Sequence, residues 1–140
     1  MSMSDEPLSV GVIGLGWQGA SHLQNFAANP QTKLQAVCDI DEKRLTEQAD
    51  AYGVTLRFTD YRELLGCGEV EAVVIVLPDH LHRDPAVAAL EAGKHVLLEK
   101  PMALTVADAE AIAEAAGHAR GCFMLNLSNR FIHSFAKGKE

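Results

Sequence analysis

Three glycines stand in the stretch GLGWQG, residues 14–19, between an apolar run and a segment with helical periodicity. In this context Gly14 allows a tight turn, Gly16 lets an anionic ligand approach the backbone, and Gly19 lets the helix pack close to a sheet. The free N–H groups at the start of the helix then face a phosphate. A glycine-rich turn with a purely structural role is the alternative. The residues of this loop predicted to bind the cofactor are Gly14, Leu15, Gly16, Trp17, Gln18 and Gly19, of which Trp17 and Gln18 are expected to pack beside the dinucleotide.

A carboxylate follows the second apolar run, at Asp39, twenty residues after the last glycine of the motif. An acid at this place can accept hydrogen bonds from ribose hydroxyls, and it repels a 2′-phosphate. The sequence therefore predicts Asp39 and the adjacent Ile40 as cofactor contacts and favours NAD over NADP, although Lys43 and Arg44 lie near enough to weaken this preference. In the alternative interpretation, Asp39 only caps the following helix.

Polar residues also follow the fourth and fifth apolar runs, in LPDHLH (residues 77–82) and in Glu99-Lys100-Pro101. Pro101 disfavours the helical conformation for Lys100, which places this lysine in extended backbone at the edge where open α/β sheets bind ligands. An ammonium group there can hydrogen-bond a substrate hydroxyl and assist the carbonyl formed by hydride transfer. A solvated Glu99–Lys100 pair at a strand end is the alternative.

Apolar runs and amphipathic segments alternate along the whole chain. This alternation predicts an α/β, doubly wound, mostly parallel six-stranded sheet in the order 3-2-1-4-5-6, with helices on both faces. Capping residues and terminal glycines mark the ends of several helices. The predicted strands are 8–13, 34–38, 54–58, 71–77, 95–99 and 122–127. The predicted helices are 17–29, 41–52 with Asp41 as N-cap, a short one starting at a capping box at Asp60, 84–92, and 105–116 with Thr105 at its start.

The composition limits the classes of function. The chain has 140 residues, 48% hydrophobic and 22% charged, which suits one globular domain, and its net charge of −7 disfavours nucleic-acid binding. The longest apolar run is too short to span a membrane, and the first residues lack the pattern of a signal peptide, so we expect no membrane partner and a cytoplasmic location. Three scattered cysteines predict reduced thiols, buried at Cys38 and Cys122.

Taken together, these motifs resemble the Gfo/Idh/MocA oxidoreductase family. The stretch 93–105, GKHVLLEKPMALT, is the most specific part, and the similarity runs from about residue 9 to residue 131. The resemblance implies NAD(P)-dependent oxidation or reduction of a CH–OH group of a sugar, inositol or related polyol.

The resemblance also implies roles for individual residues. Lys100 matches the family's catalytic lysine. Contacts near the nicotinamide are implied for the loops after the fourth and fifth strands. Asp79 replaces a frequent asparagine, and Ser128 replaces the asparagine of an Asn-x-Arg-Phe motif, which leaves a nicotinamide contact there open. The residues implied to lie in these contacts are Leu77, Pro78, His80, His82, Glu99, Lys100 and Pro101.

Family members continue into a second domain that supplies substrate contacts and usually the oligomer interface. We therefore expect residues 1–128 to form the NAD(P)-binding domain and 129–140 to begin a connection to a substrate domain, with a homo-oligomer as a further expectation. A non-catalytic dinucleotide-sensing module is the alternative function. An S-adenosylmethionine methyltransferase is disfavoured by Gly19 and by Glu-Lys-Pro.

The pair His80 and His82 is a weak metal pattern, so no metal is expected. His22 and His118 are predicted to be surface or packing residues.

Overall fold

A computed structural model of the chain describes residues 6–132, 134, 137 and 138. The strands are β1 (Leu8–Ile13), β2 (Thr32–Cys38), β3 (Leu56–Phe58), β4 (Ala72–Ile75), β5 (His95–Glu99) and β6 (Phe123–Asn126). The helices are α1 (Trp17–Ala28), α2 (Glu42–Tyr52), α3 (Tyr61–Leu65), α4 (Arg83–Glu91) and α5 (Val106–His118). Two short 3-10 turns, Asp79–Leu81 and Ser128–Phe131, follow β4 and β6.

The strands form one six-stranded sheet in the order β3-β2-β1-β4-β5-β6. Every strand pair within it is parallel, so each connection passes over a face of the sheet through a helix. The predicted fold class and strand order are confirmed. Because the strands are parallel, their carboxyl ends, which precede the candidate residues, share one edge.

The sheet separates two apolar cores. Residues of β1 alternate between them, with Val10 and Val12 in one core and Ile13 in the other, as the two-residue period of a strand requires. The first core packs against α1 and α2, and the second against α3, α4 and α5. Both faces of the central strands are therefore covered, which explains the continuous apolar runs in the sequence.

Side-chain caps fix the starts of three helices. Asp41 accepts a hydrogen bond from the Arg44 N–H at the start of α2, and Thr105 accepts one from Asp108 at the start of α5, as predicted. The predicted capping box at Asp60 is only partly correct, because its carboxylate accepts from the Arg62 N–H. The polar caps thus set where these elements begin.

Several predicted boundaries need correction. The third strand is shorter than 54–58 because it pairs only with the last three residues of β2, and the fourth strand stops at Ile75 because the chain turns away before Pro78. The second strand starts two residues earlier than predicted, at Thr32. The strands β1 and β5 have the predicted ends, and the remaining ends match the prediction or differ from it by one or two residues.

The cysteines differ in their surroundings. Burial, together with nearby carboxylates, raises the pKa of Cys38 to about 12, which keeps this thiol protonated and unreactive. Cys122 is exposed, so its predicted burial is wrong. The reason is its position just before the edge strand β6, which lacks a neighbour on one side.

The predicted domain boundary after residue 128 stays a prediction. Residues 128–131 form a 3-10 turn and Ile132 follows in extended conformation. Residues 133, 135, 136, 139 and 140 of the predicted connection, like 1–5 of the predicted domain, lie outside the described residues.

Candidate functional site

The loop between β1 and α1 needs two of its three glycines for the fold itself. Gly14 has φ +93°, and a Cβ there would overlap the carbonyl of Val76. A Cβ on Gly19 would overlap the carbonyl of Gly14, so this glycine allows α1 to approach the loop. At Gly16, in contrast, an added Cβ would meet nothing within 4 Å. The fold does not require glycine at position 16, which fits a site that keeps this space for a ligand.

The N-terminus of α1 is open. Gly16 is its N-cap and provides no side-chain hydrogen bond, and the first turn carries no acidic residue. By comparison, the first turns of α2, α3 and α5 are capped by side chains. The N–H groups of α1 and the positive end of its dipole thus suit an anionic group above Gly16.

Asp39 lies immediately after β2 and is buried. Its Oδ2 accepts a hydrogen bond of 2.8 Å from the Leu15 N–H, and its Oδ1 accepts one of 2.8 Å from the Asp41 N–H. The guanidinium of Arg44 lies 3.2 Å from Oδ2. Since each carboxylate oxygen can accept more than one hydrogen bond, this carboxylate ties β2 to the glycine loop and still has acceptor capacity for ribose hydroxyls.

A cleft of about 830 Å³ opens at the carboxyl edge of the sheet. Two of the six predicted contacts of the glycine loop and most of those after β2 and β4 line it: Gly14, Gly16, Asp39, Ile40, Leu77, Pro78 and His80. Ile40 is 88% exposed, an unusual position for a large apolar side chain, and it offers a flat ligand an apolar contact. Arg44 and Arg62 also line the cleft.

The other predicted residues are not among those that line this cleft. Leu15 is buried, whereas Trp17 is 90% exposed and Gln18 is also exposed. Their side-chain contacts with a cofactor stay predictions. A second groove, of about 700 Å³, lies between α4 and α5, and none of the predicted contacts lines it.

Lys100 follows β5 at the same edge of the sheet. Its side chain is exposed and forms no hydrogen bond or ion pair with any residue that the structure describes. The Lys100–Pro101 peptide bond is cis. Glu99 and Lys100 do not form the side-chain pair of the alternative interpretation, since no ion pair between them is found among the described residues. The ammonium group of Lys100 is therefore available to a ligand.

Glu99 is buried and has other partners. Its Oε1 accepts hydrogen bonds of 2.7 Å from His22 on α1 and of 2.7 Å from Asn126 on β6. Gln18 lies 3.5 Å from the same oxygen. Burial acts to raise the pKa of Glu99, but the hydrogen bonds of His22 and Asn126, the charge of His22 and the Lys100 N–H outweigh it, so this pKa lies below its ordinary value. A charged carboxylate thus anchors the backbone next to Lys100.

Because the pKa of Glu99 is lower in the folded state, the ionised carboxylate of Glu99 stabilises the folded chain relative to the unfolded chain. This stabilisation is complete above the ordinary value of 4.5 and is lost as pH falls through the lower folded value. We expect Glu99→Gln to lower the free energy of unfolding by about 1 kcal/mol at pH 7. The gap in Tm between the two proteins should shrink when unfolding is followed from pH 7 down past 4.5. The exposed Glu110, changed to Gln, is the control; a gap for Glu99→Gln that stays constant with pH would contradict the assignment.

Sequence reasoning missed His22 and Asn126. His22 is buried and its ring stacks on Phe26, which agrees with the packing role that was one of its two predicted options, but its hydrogen bond to Glu99 was not predicted. A signal was present, because His22 shares its helix face with the buried Gly19 and Leu23, at helical spacing. A polar residue on a buried face calls for a polar partner. His118 is exposed, as one of the two predicted options stated.

The two histidines after β4 have different surroundings. His80 is exposed and lines the cleft. His82 is fully buried, and its ring nitrogens lie 2.8 Å from the carbonyls of Pro101 and Leu77. No cluster of three metal-ligating side chains occurs in the described part of the chain. Ser128 is exposed in the 3-10 turn after β6, and the nicotinamide contact at this position stays open.

A parallel sheet of this order, an open glycine loop and an acid after β2 define a dinucleotide-binding Rossmann domain. The profile of the Gfo/Idh/MocA group, described as an oxidoreductase family with an NAD-binding Rossmann fold, matches residues 8–127. The chain therefore belongs to the Gfo/Idh/MocA oxidoreductase family, as the motifs predicted.

The relatives with similar sequences include inositol dehydrogenases. The chain is 38% identical over 110 residues to an inositol 2-dehydrogenase of Salmonella typhimurium, covering 77% of this chain and 33% of the relative. It is 33% identical over 133 residues to a myo-inositol 2-dehydrogenase of Thermotoga maritima, covering 95% of this chain and 40% of the relative. The chain thus spans between a third and two fifths of the length of these relatives.

Solved structures show the same fold. Scyllo-inositol dehydrogenase from Lactobacillus casei, crystallised with NAD(H) and scyllo-inositol, superposes with a TM-score of 0.90 at 32% identity, covering 96% of this chain and 40% of that protein. Within the described residues, none of the helices has the length and apolar character needed to cross a membrane.

Proposed function

We propose that this chain binds NAD, in preference to NADP, and forms the cofactor half of an oxidoreductase that acts on a CH–OH group of an inositol, a sugar or a related polyol. The observation that carries the proposal is the open space at Gly16 above the uncapped start of α1. Asp39 and Lys100 lie at the same edge of the sheet. The similarity to inositol dehydrogenases supports a polyol as the class of substrate.

The residues present fit a dinucleotide. The N–H groups of the glycine loop hold the pyrophosphate, and Asp39 accepts hydrogen bonds from the adenosine ribose. Ile40 packs against the adenine, because its side chain is exposed beside Asp39 in the cleft. Leu77 and Pro78, which also line the cleft, would border the nicotinamide half.

Lys100 provides the proton chemistry in this proposal. Bound NAD supplies the acceptor for the hydride that leaves the substrate carbon. As a neutral amine, Nζ of Lys100 would accept a hydrogen bond from the substrate hydroxyl and take the proton that leaves its oxygen, and the ammonium group so formed would return that proton to the oxygen in the reverse reaction. The Lys100 side chain is exposed and has no hydrogen-bond or ion-pair partner among residues 6–132, which leaves Nζ available for that contact. The cytoplasmic location and the homo-oligomer stay predictions.

The first test is a titration of the chain with NADH and with NADPH, followed by fluorescence or heat. We expect saturable binding of NADH and weaker binding of NADPH, because the carboxylate of Asp39 repels a 2′-phosphate. Stronger binding of NADPH would mean that Arg44 and Arg62, which line the cleft, outweigh Asp39. Binding of neither nucleotide would contradict the proposal.

A second test concerns Lys100. The chain is incubated with NAD and with myo- or scyllo-inositol while NADH absorbance is followed. We expect Lys100→Met to leave the Kd for NADH within about twofold and to lower any turnover by about 10²- to 10⁴-fold. Turnover that survives this substitution would contradict the role of Lys100. NADH binding without turnover would favour the non-catalytic alternative for the chain by itself.

A further inference from the structure

His82 is the one histidine among the described residues whose side chain is completely buried. Its Nδ1 lies 2.8 Å from the carbonyl oxygen of Pro101, and its Nε2 lies 2.8 Å from that of Leu77. Both partners are acceptors, so the ring can only donate to them. The neutral ring donates one of these hydrogen bonds, and the protonated ring donates both. Either way, the two ring nitrogens face backbone and leave none for a ligand.

The two carbonyls belong to different loops. Leu77 lies in the loop after β4, and Pro101 lies in the loop after β5, next to Lys100. In the sequence they are far apart, and β4 and β5 are neighbours in the sheet. The imidazole of His82 therefore joins the two loops that flank the carboxyl ends of these strands.

The base of this connection is rigid. The carbonyl of His82 accepts a hydrogen bond from the Ala86 N–H, and its own N–H donates to the carbonyl of Asp79. The residue thus stands where the 3-10 turn meets α4. Buried on a fixed backbone, its ring has little freedom to turn, and it holds the Pro101 carbonyl at a set distance from Leu77.

We infer that His82 is a positioning residue, which holds the Lys100–Pro101 loop against the Leu77–Pro78 loop and so shapes the nicotinamide half of the site. This inference rests on the proposed function, since it assigns these loops to the nicotinamide half. It replaces the direct cofactor contact predicted for His82 by an indirect role. On the other side of Lys100, Glu99 anchors the same segment to α1 and β6.

A positioning role and a merely structural one differ in which part of the nucleotide they affect. ADP occupies only the half of the site built by the glycine loop and Asp39, whereas NADH occupies both halves. In the unchanged chain, NADH should therefore bind more tightly than ADP. For His82→Phe we expect an unchanged Kd for ADP and a Kd for NADH raised about tenfold, toward that of ADP. Equal weakening of both nucleotides, or of neither, would overturn the inference.

His95→Phe is the matched control. His95 is the first residue of β5, at the opposite edge of the sheet, and its Nδ1 accepts a hydrogen bond of 3.0 Å from the Cys122 N–H. This variant also loses a histidine hydrogen bond but lies away from the cleft, so both affinities should stay unchanged. If NADH binds the unchanged chain no better than ADP does, the proposed nicotinamide half fails, and that result differs from a failure of His82 alone.

Two further measurements keep the inference testable if His82→Phe does not fold. His82→Gln keeps one amide donor group and should raise the Kd for NADH by less than about tenfold while the Kd for ADP stays unchanged; equal weakening of both nucleotides, or of neither, would again overturn the inference. In the unchanged chain, a ring N–H of His82 should exchange slowly with water in NMR spectra, in contrast to the exposed His80. Exchange of the His82 ring as fast as that of His80 would show that the connection between the loops does not exist.

Discussion

Gly16→Val should reduce NADH affinity by at least about a hundredfold while the chain stays folded. The backbone at Gly16 has φ −64° and ψ −166°, which any residue adopts, and an added Cβ meets no atom within 4 Å. The protein itself therefore tolerates a side chain here. The branched side chain instead fills the space above the α1 N–H groups, where the pyrophosphate binds in our proposal. Titration with NADH and a thermal unfolding curve measure the two effects.

Two other glycines make this test specific. Gly117 on α5 also has open space around it and lies away from the cleft, so Gly117→Val should leave NADH affinity unchanged. Gly14→Ala should destabilise the fold strongly, because φ is +93° and the new Cβ overlaps the Val76 carbonyl. A Gly16→Val chain that binds NADH normally would show that the loop has only a structural role.

The sequence predicted the fold because the fold depends on local patterns. Apolar runs of strand length alternate with helical segments, and Asp41 and Thr105 mark helix starts through hydrogen bonds to residues three positions ahead. Parallel order then follows from the helical crossovers. The ends of strands were less predictable, since β3 and β4 end where pairing with a neighbour ends, and pairing is not a local property.

The candidate site was predictable only where one short segment contains the whole signal. The glycine loop and the Glu-Lys-Pro segment are of this kind. The partners that hold them are not: His22 bonds to Glu99 across 77 positions, and Asn126 and His82 bond to their partners across 27 and 19 positions. A histidine that ends a loop looks the same in sequence whether it faces a ligand or a carbonyl. The structure is needed to distinguish these cases.

Lys100 illustrates how these distant contacts act together. Its own side chain is exposed and forms no hydrogen bond or ion pair with a described residue, yet the residues on either side of it are fixed. Glu99 is held by α1 and β6, and the carbonyl of Pro101 is held by His82. An exposed and flexible side chain on a backbone fixed at both sides suits a group that must reach a substrate from a constant position.

Asp39→Ser should shift the preference of the chain from NADH toward NADPH by at least about tenfold. Two effects act in the same direction. The substitution removes the charge that repels a 2′-phosphate, and it releases the Arg44 guanidinium, now 3.2 Å from the carboxylate and on the wall of the cleft. The ratio of Kd values for the two nucleotides measures the shift. Arg44→Ala in the same background should reverse most of it.

Asp41→Ser is the matched control for this change. Asp41 also carries a carboxylate bonded to Arg44, at 3.4 Å, but it lies outside the residues that line the cleft. Serine can replace it as the N-cap of α2, so both stability and nucleotide preference should change little.

Asp39→Ser itself should lower the free energy of unfolding by about 1–3 kcal/mol, since the N–H groups of Leu15 and Asp41 lose a shared acceptor. An unchanged ratio of the Kd values in a folded Asp39→Ser chain would show that this carboxylate serves the loop and not the choice of cofactor.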